Sequence, residues 1–337
     1  MSGMSSEDAS IPERQGGDPQ KRDVERSRTG VSKESAPIRL MVWAASGLLP
    51  RSARDRLRRS IGESVGLFRT LSPLATGSGE VFQLLAFIAR FALTRRFPGR
   101  FSREVGLRLG GATHVIGPDT TEIYSLEEIY VREQYDRHPD FIPQSGWNVF
   151  DVGANVGVFA VRQALRGAVV WAFEPNVSCY RRLVRSIEAN GLSHSVSPFN
   201  AALGAASGKG IVVVPGAGHW TTSGQVSTVQ TNTAGSEIQV SSLDDVTEAE
   251  QVTEIDLLKV DVEGAELEVL RGARKSLRAV KKAIVEYHSS QLRAEAMKVL
   301  GGHGFAPALE VPLGASPDVG VLYFTRTSPG EALPRTE

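Results

Sequence analysis

Apolar positions follow two alternating patterns in the second half of this chain. From residue 147 to residue 326, short apolar runs of strand length alternate with stretches whose apolar positions recur every three or four residues. Such alternation predicts a parallel sheet covered by helices on both faces. The expected strands are residues 148–152, 168–173, 195–201, 255–260, 283–286, 305–310 and 319–324, and the expected helices are residues 157–165, 177–190, 265–271 and 291–301.

The region before this alternation has a different pattern. Residues 38–60 and 80–97 have the spacing of helices, the first broken near Gly47 and Pro50, and a Ser-, Pro- and Gly-containing linker at 72–79 separates them. Residues 105–116 fit a small hairpin, and residues 122–137 a short helical or irregular lead-in to the sheet. Residues 207–239, rich in Gly, Thr and Ser, interrupt the later alternation and are expected to form an insertion of irregular or antiparallel strand structure.

These patterns divide the chain into four parts. We expect a disordered tail at 1–37, a helical N-terminal extension at 38–118, a Rossmann-like, doubly wound α/β domain at 119–326 and a C-terminal tail at 327–337. No apolar run reaches the roughly 18 to 20 residues of a spanning helix, and the N-terminus lacks the apolar core of a secretory signal. The expected location is therefore cytoplasmic.

The composition excludes several classes of protein. The single cysteine, Cys179, can form neither an internal disulfide nor a cysteine-rich metal site, which excludes a disulfide scaffold and favours a reducing compartment. With 38 basic and 38 acidic side chains, the formal net charge is zero. No overall field attracts polyanions, so we expect no nucleic acid partner.

Charge is nevertheless segregated along the chain. Residues 1–118 carry 19 basic and 11 acidic side chains, a net charge of +8, so the remainder is −8. Five arginines between residues 51 and 59 follow an apolar cluster at 41–49, and together they could form a basic amphipathic segment in peripheral contact with an anionic membrane. The alternative is a helical extension that packs on the main domain with its arginines in water.

Two strand ends carry the pattern of a nucleotide-type cofactor site. The first expected strand runs into a turn in which Gly153 and Gly157 permit tight backbone geometry, with Asp151 at the end of the strand. Glu174 ends the next strand, 17 positions beyond Gly157. In a doubly wound sheet that carboxylate lies beside the first turn, where its two oxygens can accept both hydroxyls of a ribose.

The details of the turn favour one cofactor over another. A dinucleotide turn has the pattern Gly-x-Gly-x-x-Gly, whereas this one has Gly153-x-Asn155-x-Gly157 preceded by Asp151. A carboxylate suits the cationic sulfonium and ammonium groups of S-adenosyl-L-methionine better than a pyrophosphate, because like charges repel. An NAD-dependent oxidoreductase on the same fold stays the alternative.

At this point the chain resembles the FkbM-type S-adenosylmethionine-dependent methyltransferases, over about residues 122–324. The resemblance rests on residues 151–157, Glu174-Pro175, the Asn-Ala-Ala-Leu-Gly run at 200–204, the Leu-Leu-Lys-Val-Asp-Val-Glu-Gly-Ala-Glu run at 257–266, and Glu286-Tyr287-His288. It implies a methyltransferase sheet and methyl transfer to a hydroxyl, often on a sugar or a natural product. A small-molecule or glycan acceptor is therefore expected, and the oligomeric state is left open.

The resemblance also implies roles for individual residues. The residues around the methionine portion of the cofactor would be Asp151, Gly153, Asn155 and Gly157; Glu174 would bind the ribose, and Asn200 and Ala201 would border the adenine. Taking the proton from an acceptor hydroxyl needs a carboxylate or an imidazole, for which the candidates are Asp261, Glu263 and His288. The scheme requires no metal, although Asp261 and Glu263 could hold a divalent ion.

Each catalytic candidate has a structural alternative. Asp261 could pair with Lys259, Glu263 could cap the helix that starts near residue 264, and His288 could be a polar residue after a strand. Tyr135 is either a lid over the cofactor or a core aromatic. A cofactor-binding partner protein without catalysis also stays open.

Overall fold

The computed structural model describes residues 51–97, 100, 103–118, 122–213, 225–227, 236–314 and 317–327. The expected tail at 1–37, the expected helix before residue 51 and all but the first residue of the expected C-terminal tail lie outside these residues. The chain divides into two compact units, residues 1–59 and 60–337. Of the first unit, the described residues 51–59 are helical, and the rest of the description concerns the second.

Two helices precede the first strands. Helix α1 spans Arg51–Leu71 and helix α2 spans Ser78–Arg96, with a 3₁₀ turn at Ser72–Leu74 between them. The prediction that the first helix ends at residue 60 is wrong. The helix continues because Leu67 and Leu71 lie one turn apart and are both buried, which outweighs the cost of two glycines in the added segment.

The hairpin and the irregular lead-in are confirmed. Strands β1 (Val105–Leu109) and β2 (Ala112–Ile116) pair antiparallel around a two-glycine turn. Helix α3 (Ile123–Leu126) continues directly into a π-helical turn at Glu127–Val131.

The main sheet has seven strands among the described residues. Their order is β12-β13-β11-β10-β3-β4-β5, with bounds β3 Asn148–Val152, β4 Val169–Phe173, β5 Val196–Phe199, β10 Ile255–Val260, β11 Val280–Tyr287, β12 Phe305–Pro312 and β13 Gly320–Arg326. Strands β3, β4, β5, β10 and β11 pair parallel, but β13 pairs antiparallel with both β11 and β12. An entirely parallel sheet is thus the wrong prediction. Only residues 313–319 connect β12 to β13, which is enough for an antiparallel pair and too short for a parallel crossover.

Helices cover both faces of this sheet. They are α4 Val158–Leu165, α5 Val177–Ala189, α6 Leu243–Ala249, α7 Glu266–Arg271 and α8 Ser290–Gly302. Neighbouring strand residues point into different cores: Val149 packs with α4 and α5, whereas Phe150 packs with α7 and α8. The doubly wound Rossmann-like fold class is therefore confirmed. Helix α6 was not predicted, because its seven residues bury only Leu243 and Val246 and show no clear period.

A second, smaller sheet lies beside the first. Its order is β6-β9-β7-β8, with bounds β6 Ala201–Leu203, β7 Gly208–Val213, β8 Gln225–Ser227 and β9 Ser236–Ser241. The predicted single strand at 195–201 is wrong: the chain changes sheet at Asn200, which separates β5 from β6. The predicted insertion is antiparallel in β7, β8 and β9, and residues 214–224 and 228–235 lie outside the described residues.

The order of the main sheet reverses between β3 and β10. The carboxyl ends of parallel strands meet at one edge, and ligands bind at such a reversal. No helix among the described residues is long and apolar enough to cross a membrane.

Candidate active site

A cavity of about 380 Å³ opens at the carboxyl ends of β3, β4, β10 and β11. Helix α3 and the π-helical turn contribute to its wall through Tyr124, Ser125, Glu128 and Ile129. At one end lie Glu174, Ala201 and their neighbours, and the acidic part of the wall contains Glu128, Asp261, Glu263 and Glu286. Two of the three predicted catalytic residues therefore reach the cavity, together with Gly153, Asn155, Glu174 and Ala201 of the predicted cofactor contacts.

The turn after β3 is built for close backbone approach. Gly153 has φ +83°, and a Cβ atom there would collide with the backbone carbonyl oxygen of Asp261. Gly157 has φ +84°, and a Cβ atom there would collide with the side chain of Leu183 on α5. Both positions therefore need glycine, because φ is positive and because a Cβ atom would collide with a neighbour. The ends of β3 and β10 can approach each other this closely only because Gly153, which follows β3, has no side chain.

Glu174 is buried and fixed by the backbone. Its Oε2 accepts the N–H of Asn155 at 2.8 Å, and its Oε1 accepts the N–H of Asn176 at 2.7 Å. Burial raises the pKa of Glu174 to about 7, although these two hydrogen bonds oppose the shift. Each oxygen keeps a second lone pair, so the carboxyl group can still accept a pair of vicinal hydroxyls.

Asn155 supplies an independent indication of a ligand. It has φ +51°, and its Oδ1 atom is buried without a hydrogen-bond partner among the described residues. A buried polar atom without a partner is costly. A ligand with a donor group beside a vicinal diol, as in the methionine and ribose parts of S-adenosylmethionine, fits Asn155 and Glu174 together.

The two residues predicted to border the adenine have different positions. Ala201 lies on the cavity wall. Asn200 is not among the residues that line the cavity; its Nδ2 donates to the carbonyl oxygens of Glu174 at 2.9 Å and Pro175 at 3.2 Å. It thereby fixes the backbone after β4.

Asp151 and Lys259 form a buried ion pair behind the cavity wall. Lys259 Nζ lies 3.0 Å from Asp151 Oδ1 and donates to the carbonyl oxygen of Gly153 at 2.8 Å. Burial lowers the pKa of Lys259, but the carboxylates of Asp151 and Asp261 more than offset this and hold it above its usual range. Asp151 is predicted as a cofactor contact, yet it is fully buried and its described partner is Lys259. Gly157 likewise lies behind the wall, at the start of α4.

Tyr135 bridges two carboxyl groups from different strands. Its Oη lies 2.9 Å from Asp261 Oδ2 and 2.7 Å from Glu286 Oε2, and Gln134 Nε2 donates to the same Glu286 oxygen at 2.7 Å. One phenol hydrogen can serve only one of two acceptors, so the second contact requires a proton on a carboxyl group. Burial and the charge of Asp261 raise the pKa of Glu286 to about 8. Glu286 therefore holds that proton at neutral pH, which directs the phenol hydrogen toward Asp261.

Sequence reasoning gave no role to Glu286 and did not single out Glu128. Burial, followed by the charge of Asp261, raises the pKa of Glu128 to about 7. Glu286 carried a usable signal, since it lies near the end of a parallel strand adjacent to the strand of Asp261. Glu128 carried none, because the irregular π-helical turn has no periodic pattern.

His288 lies among glutamates beside the cavity. Its Nδ1 is 3.2 Å from Glu266 Oε1, and its Nε2 is 3.5 Å from Glu263 Oε2 and 3.6 Å from Glu286 Oε1. Burial opposes protonation, but the contact with Glu266 and the charge of Glu263 raise the pKa of His288 to about 9. At neutral pH it is therefore a cation, which suits it to orient carboxylates better than to accept a proton.

Glu263 has φ +54°, and the turn that it occupies is held by Glu266, whose Oε1 accepts the N–H groups of Val262 and Gly264. One donor atom each of Asp261, Glu263 and His288 lie within 4.8 Å of one another. With His288 in its neutral form, these three residues could hold a divalent cation.

Residues 151–306 match the family described as the methyltransferase FkbM domain. The chain is 34% identical over 152 residues to the hexuronic acid methyltransferase AglP of Haloferax volcanii, covering 45% of this chain and 60% of that protein. It is 28% identical over 214 residues to Methyltransferase 1 of Beauveria bassiana, covering 57% of this chain and 84% of that one. Among solved structures, the METTL16 MTase domain matches with a TM-score of 0.42 and 14% identity, over 73% of this chain and 81% of that one.

Proposed function

Because residues 151–306 carry a domain of the FkbM methyltransferase family, we propose that this chain transfers a methyl group from S-adenosyl-L-methionine to a neutral hydroxyl of a sugar or natural product. S-adenosylmethionine is the cofactor of the family, and when bound it supplies a methyl group on a sulfonium. The observation that carries the proposal is the position of Asp261 on the cavity wall, with a fixed carboxyl group.

The two described contacts of the Asp261 side chain fall on one oxygen. Oδ2 accepts from Tyr135 at 2.9 Å and lies 3.6 Å from Lys259 Nζ. Oδ1 therefore stays available to the hydroxyl of an acceptor. Tyr135 is itself buried and packs edge-on against Phe159, with ring centroids 5.5 Å apart. Such packing keeps the phenol, and with it the carboxyl group, in one orientation.

The reaction balances with these groups alone. With S-adenosylmethionine bound, the acceptor oxygen would form a bond to the methyl carbon as the carbon–sulfur bond breaks, and the electron pair of that bond would stay on sulfur as the thioether of S-adenosylhomocysteine. The hydroxyl proton passes to Asp261 Oδ1. The chain contributes alignment of the acceptor and removal of its proton.

Charge at the acidic part of the wall separates two classes of acceptor. The Haloferax relative is named as a hexuronic acid methyltransferase, and a uronic acid carries its own carboxylate. Here that carboxylate would lie beside the carboxylates of Asp261 and Glu263 on the cavity wall, whereas the nearby Lys259 is already paired with Asp151. Repulsion between like charges is strong in a partly buried site. The acidic wall therefore favours a neutral hydroxyl over a uronate as the acceptor.

The test measures transfer of labelled methyl groups from S-adenosylmethionine to matched panels of neutral glycosides and uronic acids. Wild type should label neutral acceptors preferentially. In Asp261→Asn turnover should fall roughly 100-fold to 10,000-fold, as expected for loss of a general base, while calorimetry shows nearly unchanged S-adenosylhomocysteine affinity. The matched control is Asp140→Asn, a change at an exposed aspartate.

Each part of the proposal can fail separately in these measurements. Binding of NAD in place of S-adenosylhomocysteine would overturn the transferase. Cofactor binding without labelling of any acceptor would favour the non-catalytic alternative. Near-normal turnover in folded Asp261→Asn would show that Asp261 is not the general base. Preferential labelling of uronic acids would overturn the proposed class of acceptor.

A further inference from the structure

Helix α2 is apolar on both of its faces. The inner face buries Leu84, Phe87, Ile88 and Phe91 against the core. Between residues 81 and 94 the exposed positions are Phe82, Gln83, Leu85, Ala86, Ala89 and Leu93. Apart from Gln83, these lie at spacings of 3, 4, 7 and 11 from Phe82, which places them within about 120° of the helix circumference.

The exposure of this outer face is large for apolar side chains. Phe82 is 74% exposed, Leu85 47% and Leu93 42%, and Phe97, just beyond the helix, is 42% exposed. A surface helix normally turns charged residues to water on the face opposite its buried stripe. A continuous exposed apolar stripe rimmed by polar residues marks a binding surface.

The charge at the carboxyl-terminal end of the stripe is positive, whereas Glu80, before the stripe, is paired with Arg108, and Glu104 is paired with Arg182 and Arg185. Residues 90–103 include five arginines and no carboxylate. The side chains of Arg100 and Arg103 are exposed, and Arg90 Nη2 donates to the carbonyl oxygen of Arg103, which holds Arg103 beside helix α2. The net charge of +8 on residues 1–118 comes entirely from residues 51–118, which contain twelve arginines and four carboxylates.

We propose that the outer face of α2, formed by Phe82, Leu85, Ala86, Ala89, Leu93 and Phe97, docks on an anionic lipid membrane. The apolar side chains enter the boundary between headgroups and acyl chains, and the arginines that follow α2 pair with lipid phosphates. A second protein chain would cover the apolar stripe alone, but the exposed arginines Arg100 and Arg103 beyond its end favour an anionic partner, which a lipid surface supplies without specific geometry.

The docked helix would lie directly behind the cavity wall. Phe91, on the inner face of α2, packs edge-on against Tyr124 with ring centroids 6.4 Å apart, and Tyr124 lines the cavity. One helix, about 10 Å across, thus separates the cavity wall from the proposed membrane surface. The proposal is independent of the reaction proposed above, since it concerns the other side of this helix.

The test is flotation of the full chain with vesicles of phosphatidylcholine alone or mixed with phosphatidylglycerol. Wild type should float with the anionic vesicles and separate from them at high salt. The double variant Phe82→Ser/Leu93→Ser should bind at least about tenfold more weakly, because two apolar side chains no longer enter the bilayer. Arg100→Gln/Arg103→Gln should also lose roughly tenfold.

Leu165→Ser is the matched control, because Leu165 is an equally exposed leucine (49%) on helix α4; it should float as wild type does. Calorimetry with S-adenosylhomocysteine and melting curves establish that each variant is folded. Equal flotation of wild type and the Phe82/Leu93 variant, or no flotation of wild type, would overturn the proposal. A wild-type dimer that the same variant converts to a monomer, without vesicle binding, would instead assign the face to a second copy.

Discussion

At the scale of single residues, each buried carboxyl group near the cavity has its own donor, and the donor determines its role. Asp151 is paired with Lys259 behind the wall, whereas Glu174 accepts two backbone N–H groups and lines the cavity. Glu286 accepts from Gln134 and shares a proton with Tyr135. Among these three groups, Glu174 is the one with the geometry to hold a ligand diol.

Replacing Glu174 separates ligand binding from support of the turn. Glu174→Ala should lower the affinity for S-adenosylhomocysteine by roughly 10-fold to 100-fold, since a hydrogen bond to a charged group contributes about 1.5–3 kcal/mol. The same change leaves the N–H groups of Asn155 and Asn176 without their acceptor, so the melting temperature should fall as well. Calorimetry and thermal unfolding measure the two effects.

Glu174→Gln keeps one acceptor oxygen but turns an NH2 group toward the other backbone N–H, so it should recover part of the stability and little of the affinity. Glu188→Ala, at an exposed glutamate on α5, should change neither. Unchanged affinity in Glu174→Ala would show that this carboxylate does not hold the ribose.

At the scale of elements, the site depends on how closely β3 and β10 approach each other. The backbone N–H of Asp261 donates to the carbonyl oxygen of Val152 at 3.0 Å, and Gly153 faces the carbonyl oxygen of Asp261. Any side chain at position 153 must push these strand ends apart. The turn and the proposed base would then move together.

Gly153→Ala is therefore expected to destabilise the fold and to abolish cofactor binding. The matched control is Gly111→Ala in the β1–β2 turn, where φ is +80° but a Cβ atom meets nothing within 4 Å. That control should lower the free energy of unfolding only by the cost of a side chain at positive φ, about 1–2 kcal/mol. Gly153→Ala should lower it clearly more. Urea unfolding compares the two variants, and equal losses would contradict the close approach.

At the scale of the whole molecule, the buried acids make stability depend on pH. The folded pKa of Glu286 is raised to about 8, chiefly by burial, so between its unfolded value and pH 8 the folded chain holds a proton that the unfolded chain has released. Burial opposes protonation of His288, but its glutamate neighbours raise its pKa to about 9. Above pH 6.5 the folded chain therefore also keeps a proton on His288 that the unfolded chain releases, and stability again falls as pH rises. Burial lowers the pKa of His114 to about 3. That residue makes stability rise with pH, but only below pH 6.5.

The free energy of unfolding should therefore fall as pH rises from 6.5 to 8, by about 1–2 kcal/mol for each group that keeps an extra proton throughout this range. Urea unfolding at both pH values measures the change in the chain without added cofactor. Glu286→Gln should reduce the slope, whereas Glu188→Gln should leave it unchanged. Stability that rises over this interval would contradict the raised pKa values.

Local sequence determined most of the elements of the sheet. Strands 148–152 and 255–260 were predicted with the bounds that they have, because a run of apolar residues between polar turns specifies a buried strand without reference to the rest of the chain. The glycine turn at 153–157 and the acid at the end of β4 follow from the same local patterns. Periodicity did not reveal that β13 runs antiparallel or that the chain changes sheet at Asn200, because pairing direction and sheet membership depend on partners distant in the sequence.

The tertiary structure alone decided which groups act on one another in the cavity. Tyr135 contacts Asp261 and Glu286, which follow it by 126 and 151 positions, and no local pattern encodes such a contact. The proton shared through the phenol, the burial that raises the pKa of Glu286 and Glu128, and the pairing that holds Asp151 behind the wall all arise when distant segments exclude water from one another. The sequence determined which residues carry chemistry at the strand ends, and packing determined their protonation and their partners, because desolvation and hydrogen-bond geometry exist only in the folded chain.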